Sequence, residues 1–195
     1  MAKKNTRNTK GRIVSAAWRL FYEQGYDNTT VEEIIDASGT SKGSFYHYFE
    51  GKDALLGTLS LLFDEKYEEV MQEIDPEMNS FDKLIYFNQS LFGMIEDSIS
   101  LDLITQLYSS QLITKSDKHL LDHNRVYYRL LRQIILEGQR RGEITQSFTA
   151  NEISKLYALC ERALIYDWCL CSGEYSLKNY SKRILPLMLE HLRSL

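Results

Sequence analysis

Apolar residues along this chain recur every three or four positions and almost nowhere in strict alternation. That is the spacing of helices packed along one face. Ile13, Ala16, Ala17, Leu20 and Phe21 predict a first helix over roughly 8–24, ended at Gly25. Thr30-Val31-Glu32-Glu33 reads as a capping box, the threonine accepting from the backbone while Glu33 reaches back. Val31, Ile34 and Ile35 then form the inner face of a short second helix. It stops at Gly39, where a left-handed turn costs glycine little. Ser41 caps a third short helix that runs to about His47. Two such helices joined by a short glycine-containing turn make a helix-turn-helix unit.

A long helix is expected from Lys52 to Ile74, with Leu55, Leu59, Leu62, Tyr67, Val70, Met71 and Ile74 inward. Asp75-Pro76 ends it, because proline disfavours helical geometry in the residue before it. Further helices are expected over 80–97, 100–114, 117–141, 149–172 and 176–194, with Ser80, Ser100, Ser116, Thr149 and Ser176 as N-caps. Thr149-Ala150-Asn151-Glu152 repeats the capping-box pattern. The expected class is all-α, with about nine helices.

Composition narrows this little: 195 residues, 44% apolar and 26% charged, describe an ordinary globular chain. No apolar run approaches the roughly 20 residues needed to span a bilayer. The basic start lacks the apolar segment of a signal peptide, so a cytoplasmic location is expected. The charge distribution says more than the net charge of −4. Lys3, Lys4, Arg7, Lys10, Arg12 and Arg19 all precede the first acid, Glu23, whereas beyond residue 60 there are 15 basic against 20 acidic residues. A basic head on an acidic body points to a polyanionic partner at the head.

The densest chemistry lies in Thr40–Leu56, TSKGSFYHYFEGKDALL. A helix that enters a major groove about 12 Å wide must be short and led by small residues. Ser41 exposes amides that favour a phosphate, Lys42 adds a mobile cation and Gly43 lets the backbone approach closely. Ser44 is small enough to reach a base edge, and Phe45 and Phe49 are the buried anchors. Tyr46, His47 and Tyr48 lie between them, and Lys52 leads the next helix.

Phe21-Tyr22-Glu23-Gln24-Gly25-Tyr26, Thr29-Thr30-Val31, the run Gly39 to Phe49, and Lys52-Asp53-Ala54-Leu55-Leu56 together resemble the TetR/AcrR family of bacterial transcriptional regulators. The resemblance covers about residues 10–56. It implies an N-terminal three-helix DNA-binding domain over 1–51 and a larger helical effector-binding and dimerisation domain over 52–195. It further implies that Lys42, Gly43, Ser44 and His47 face bases and that Thr30, Tyr46 and Lys52 hold phosphates, with Thr40 and Ser41 at the helix entry. Many members carry histidine where this chain has Tyr48; here the histidine falls one place earlier, at His47.

Segment 149–172 is apolar on two sides: Leu156, Leu159, Ala163, Tyr166 and Leu170 on one, Tyr157, Cys160, Leu164, Trp168 and Cys171 on the other. A surface helix needs one such stripe, so two imply burial in the domain and against a partner. The resemblance implies that the last two helices pair across a two-fold axis, which gives a homodimer. Tyr157, Leu164, Trp168, Tyr180, Ile184 and Leu187 are taken as its contacts. A dimer also suits the DNA side, since two recognition helices read both halves of a palindrome.

The middle helices are rich in rings, and an aromatic-lined cavity would suit a flat or apolar small molecule. The resemblance implies such an effector pocket, and Tyr67, Phe92, Tyr108, Tyr127, Tyr128 and Tyr166 are the candidate lining. The leading expectation is a repressor of a double-stranded DNA operator, released by an aromatic or apolar effector, with no cofactor and no membrane contact. A DNA-binding protein controlled by a protein partner is the alternative. An enzyme built on Cys169 or Cys171 finds no supporting loop or base nearby in the sequence. His119 and His123 sit four apart without a third metal ligand and read as exposed polar residues.

Overall fold

The computed structural model of the chain describes residues 3–113 and 118–194, with side chains from residue 9 onward. Its helices are α1 (Lys3–Gln24), α2 (Val31–Ser38), α3 (Lys42–Tyr48), α4 (Lys52–Leu56), α5 (Leu59–Glu73), α6 (Ser80–Ser98), α7 (Leu101–Ile113), α8 (Val126–Arg141), α9 (Ala150–Leu170) and α10 (Leu177–Leu189). Short 3-10 turns occupy His119–Leu121 and Glu190–Leu192. The only β feature among the described residues is an isolated bridge between Ile144 and Arg193.

The chain divides into two compact units, one of residues 1–61 and 100–120, the other of residues 62–99 and 121–195. This is not the simple cut at 51/52 that the sequence suggests. The reason is α7, which packs against α4 and so draws both into the first unit.

In the first unit α1 packs on α2 and α3. Ile13, Phe21, Tyr26, Ile34, Phe45 and Phe49 are buried there. Phe45 is completely enclosed, and burying such a ring contributes about 1.5–3 kcal/mol. Thr30 and Glu33 form the expected capping box, and Gly39 ends α2 with φ 58°, ψ 39°. That left-handed geometry is what glycine supplies at a helix C-terminus.

The helix expected over 52–74 is instead two, α4 and α5, broken at Gly57-Thr58. The Thr58 hydroxyl donates to the Leu55 carbonyl at 2.6 Å and the Ser60 hydroxyl to the Gly57 carbonyl at 2.6 Å. Backbone bonds there tighten to three-residue spacing, Thr58 N–H to Leu55 and Leu61 N–H to Thr58. Side-chain hydroxyls competing for helix carbonyls account for the break. A Cβ at Gly57 would lie 2.5 Å from the His119 ring, so the site also requires close approach. Phe63, not the expected Leu62, is the buried residue on the following turn; Leu62 is exposed.

The second unit packs α6 against α8 and α10, and α9 against α8 and α10. Two helix starts differ in detail from expectation. Asn79, not Ser80, caps α6, its Oδ1 accepting from the Phe81 N–H at 2.9 Å, and Ser80 is buried. The segment expected as one helix over 117–141 contains a turn at Asp122, whose carboxylate accepts from the Asn124 N–H at 2.9 Å, so α8 begins only at Val126. Ser116 lies outside the described residues. Ser100, Thr149 and Ser176 cap α7, α9 and α10 as expected.

Candidate functional site

The helix-turn-helix presents one face of α3 to solvent. Ser41, Lys42, Gly43, Tyr46 and His47 are exposed, whereas Phe45 and Phe49 are buried and Ser44 and Tyr48 are half-buried. On a helix, positions 42, 43, 46 and 47 share one side. Two apolar anchors therefore turn a small, basic and aromatic face outward. Ser41 caps α3, its Oγ accepting from the Ser44 N–H at 3.1 Å and lying 2.9 Å from the Ser44 Oγ. The Lys42 ammonium is 3.4 Å from Glu32, but both side chains are about two-thirds exposed (68% and 67%). Such a pair is worth about 0–1 kcal/mol, so it holds Lys42 only loosely.

The other DNA-facing candidates are placed as follows. Thr30 is exposed at the start of α2, its hydroxyl engaged with Glu33 at 2.8 Å. Thr40 is half-buried, its hydroxyl 2.8 Å from Ser38 Oγ. Lys52 is turned inward: its ammonium donates to the Tyr26 carbonyl at 2.7 Å and lies 4.2 Å from the Tyr26 ring centre. The Tyr26 hydroxyl donates to Asp53, and burial, reinforced by that carboxylate, pushes the phenol above its ordinary range. Arg12, overlooked as an individual site residue, donates to the Gly39 carbonyl at 3.3 Å and so sits at the turn between α2 and α3.

In the second unit a polar cluster lies inside the apolar core. Glu161 of α9 is buried, and its carboxylate accepts from Tyr127 Oη at 2.6 Å, Asn88 Nδ2 at 2.9 Å and Tyr67 Oη at 3.2 Å. Tyr67 stacks on Phe87 at 4.0 Å between centroids and tilts against Tyr127 at 4.9 Å. Tyr157 is buried beside them and donates to the Leu84 carbonyl at 2.8 Å. Burial raises the Glu161 carboxyl above its ordinary value, against the pull of its hydrogen bonds. Burial and the neighbouring carboxyl likewise raise the phenols of Tyr67 and Tyr127.

A part-buried ion pair stands beside the cluster. Arg125 donates to both oxygens of Asp64 at 2.8 and 3.2 Å, and Asp64 also accepts from the Tyr127 N–H at 3.3 Å. Tyr127 thus touches Asp64 with its backbone and Glu161 with its side chain.

Of the six candidate effector contacts, Tyr67 and Tyr127 meet at Glu161, and Tyr128 adjoins Tyr127 at 4.9 Å. Phe92 is fully buried farther along α6. Tyr108 is half-buried on α7 and belongs to the other unit, and Tyr166 is exposed on α9, so neither joins this cluster. Asn88 and Glu161 escaped the sequence reading. The available signal was a polar residue set in the apolar register of each helix.

The two stripes of α9 are real, and the expected dimer contacts of α9 lie on the one covered within its own unit. Tyr157, Leu164 and Trp168 are buried within their own unit. The exposed stripe is Leu159, Ala163, Tyr166 and Leu170. On α10, Tyr180 and Leu187 are exposed and Ile184 is half-buried. Among the described residues no group of three His, Cys, Asp or Glu is placed to hold a metal ion. No described helix is long and apolar enough to cross a membrane.

Residues 13–59 match the bacterial regulatory proteins of the tetR family, and residues 62–191 match the C-terminal region of YsiA-like proteins. The fatty acid metabolism regulator protein of Bacillus subtilis is 23% identical over 187 residues, 94% of this chain and 95% of that protein. The regulator QacR of Staphylococcus aureus is 27% identical over 157 residues, 77% of this chain and 81% of its own length. Thermus thermophilus FadR, a repressor solved in complex with lauroyl-CoA, superposes with a TM-score of 0.76 at 23% identity, covering 92% of this chain and 93% of that one. With its recognition helix capped and outward-facing and both halves matched, the chain belongs to the tetR family of bacterial transcriptional regulators.

Proposed function

We propose that the protein acts in the cytoplasm as a homodimeric, non-enzymatic repressor. On this reading residues 1–51 hold operator DNA and residues 52–195 bind an effector and the second copy. The observation that carries it is the outward face of α3, where Lys42, Gly43, Tyr46 and His47 are exposed over the buried anchors Phe45 and Phe49. Lys42, Gly43, Ser44 and His47 face base edges. Thr30, Tyr46, Thr40 and Ser41 lie along the phosphates. Lys52 takes part only by giving up its bond to the Tyr26 carbonyl. In a dimer the two recognition helices enter successive major-groove faces, about 34–36 Å apart or a multiple of it.

The effector binds within the second unit, and its differential affinity for the two forms of the dimer sets how far operator is released. An apolar or aromatic body suits the rings around Glu161. Two relatives, FadR of T. thermophilus and of B. subtilis, are solved with lauroyl-CoA and stearoyl-CoA. Long-chain acyl thioesters are accordingly the first effectors to test.

Footprinting on the upstream region of the gene tests the DNA half. Lys42→Ala with Tyr46→Ala is expected to abolish protection while the mass of the dimer stays unchanged. Full protection by that double variant would overturn the assignment of α3.

A further inference from the structure

The two ends of α9 bear complementary features. At its N-terminal end a groove of about 460 Å³ lies between α8 and α9, lined by Leu136 and Arg140 of α8, Phe148 of the connecting segment and Glu152 of α9. Leu136 and Phe148 are exposed in it. Phe148 is set in place by Gln139, whose amide donates to the Thr145 and Phe148 carbonyls at 2.9 and 2.8 Å. The Glu152 carboxylate faces the Thr149 N–H and hydroxyl, at 2.8 and 2.7 Å, rather than the arginine. The groove is therefore preformed, with apolar walls and a guanidinium at its rim. At the other end Leu170 is exposed, and α9 turns into α10 through residues 171–176. Ser172 there has φ 52°, the only non-glycine residue with positive φ among those described. Such a conformation persists only where its neighbours hold it. Here Trp168 Nε1 donates to the Tyr175 carbonyl at 2.9 Å, and the Tyr175 hydroxyl to Asp167 at 2.7 Å. The result is a fixed turn with an exposed leucine at its start and the exposed Glu174 within it.

Singly such residues are ordinary surface; their order along one helix is not. Among the described residues neither Arg140 nor Glu174 forms an ion pair. The exposed stripe Leu159, Ala163, Tyr166 and Leu170 runs along the helix between groove and turn. Two copies paired along that stripe about a two-fold axis must be complementary to themselves. Parallel α9 helices would set Arg140 against Arg140 and Glu174 against Glu174, and like charges brought together across an interface oppose it. Antiparallel helices instead bring the groove of each copy to the turn of the other. Guanidinium then meets carboxylate, and Leu170 meets Leu136 and Phe148.

We propose that the groove between α8 and α9 seats the α9–α10 turn of a second copy of this chain. Leu170 of one copy enters between Leu136 and Phe148 of the other, and Glu174 pairs with Arg140, twice per dimer. This rests on the reading of the protein as a homodimer. It extends the interface beyond the α9 stripe onto α8, and it fixes the α9 helices of the two copies as antiparallel.

The test is sedimentation of the full-length protein over a dilution series. Arg140→Glu and Glu174→Arg should each weaken the dimer by about tenfold or more, since each sets like charges together at both contacts. Combined in one chain, they should restore the dimer to within about threefold of the wild type. An equal mixture of the two single variants should form mixed dimers of near wild-type strength. One contact in the mixed dimer is the original pair, and the other is the same pair reversed. Both side chains are exposed, so the helical signal stays unchanged throughout. Single variants that dimerise like the wild type, or a double variant no better than the singles, would overturn the proposal and leave the homodimer standing. Preferential pairing of Arg140→Glu with the wild type would show groove meeting groove and would overturn it too. A wild type that stays monomeric across the series would instead sink the homodimer reading itself.

Discussion

The indole Nε1 of Trp18 donates to Thr58 Oγ1 at 2.8 Å, and that hydroxyl donates in turn to the Leu55 carbonyl at 2.6 Å. One threonine thus joins α1 to the break between α4 and α5, within the first unit. Thr58→Val keeps the shape and removes both bonds, leaving a part-buried indole N–H without its acceptor. The expected loss is about 1–2 kcal/mol in urea unfolding, since an unpaired buried donor costs more than an exposed one. Thr58→Ser retains the hydroxyl and should lose little. Equal stability for the valine and serine variants would show that the bond does not hold the break.

Two glycines in helices make an opposed pair. A Cβ at Gly138 of α8 would lie 2.7 Å from both Ile144 Cδ1 and Ser80 Cβ. Gly138→Ala is therefore expected to destabilise by about 1–3 kcal/mol, the usual cost of overpacking a filled core. Gly11 of α1 has no neighbour within 4 Å of the same added atom. Gly11→Ala should stabilise the DNA-free protein by about 0.5–1 kcal/mol through helix propensity alone. Thermal unfolding of the two variants checks both signs.

Local rules made much of this fold legible. Capping boxes at Thr30 and Thr149, the stop at Gly39 and the short helix led by Ser41 depend on residues within four positions of each other, and each stands where the sequence places it. What escaped depends on partners far along the chain. Asn88 meets Glu161 across 73 residues; the apolar register of each helix can mark a polar residue as inward but not the partner it finds there. Which stripe of α9 stays exposed was not legible for a related reason. Two apolar stripes on α9 are equivalent in sequence, and only the packing of α8 and α10 decides which one is covered. The break at Gly57 lay between, written in the hydroxyls of Thr58 and Ser60 but outweighed by the apolar pattern around them.

Acid and base should act on Glu161 opposite to their effect on the capping glutamates. Burial raises its folded value above the ordinary 4.5. The folded state therefore holds a proton over a range in which the unfolded chain has lost it. The stability this gives is fully present below the ordinary value and is lost as pH rises through the folded one. Glu33 and Glu152 are held below the ordinary range, first by the N–H groups of Thr30 and Thr149. Their contribution is present above that range and fades as pH falls. Those two are common to wild type and Glu161→Gln, so they cancel in the difference. The wild type should gain on the variant as pH drops toward the ordinary 4.5. Tyr67, Tyr127, Tyr157, Cys160 and Arg125 also act on the cluster, and the raised phenols and thiol stay protonated across this window. A pH-independent difference in urea midpoints between the two proteins would contradict burial of an ionisable Glu161.

The exposed stripe of α9 makes a prediction that separates contact from core. Leu159 and Leu170 are 56% and 65% exposed in the single chain, and Leu187 of α10 is 72% exposed. Large apolar side chains gathered along neighbouring helices mark an association surface, and a closed two-fold pairing of this face buries each twice. Leu159→Arg with Leu170→Arg should leave the helical signal and the monomer fold intact while shifting sedimentation to the mass of one chain. Operator affinity should fall steeply with it, because a lone recognition helix reads only half a palindrome. Leu164→Ala behaves differently: that side chain is buried in its own unit, so it should cost about 2–5 kcal/mol of stability. A double arginine variant that remains dimeric would move the interface off this face.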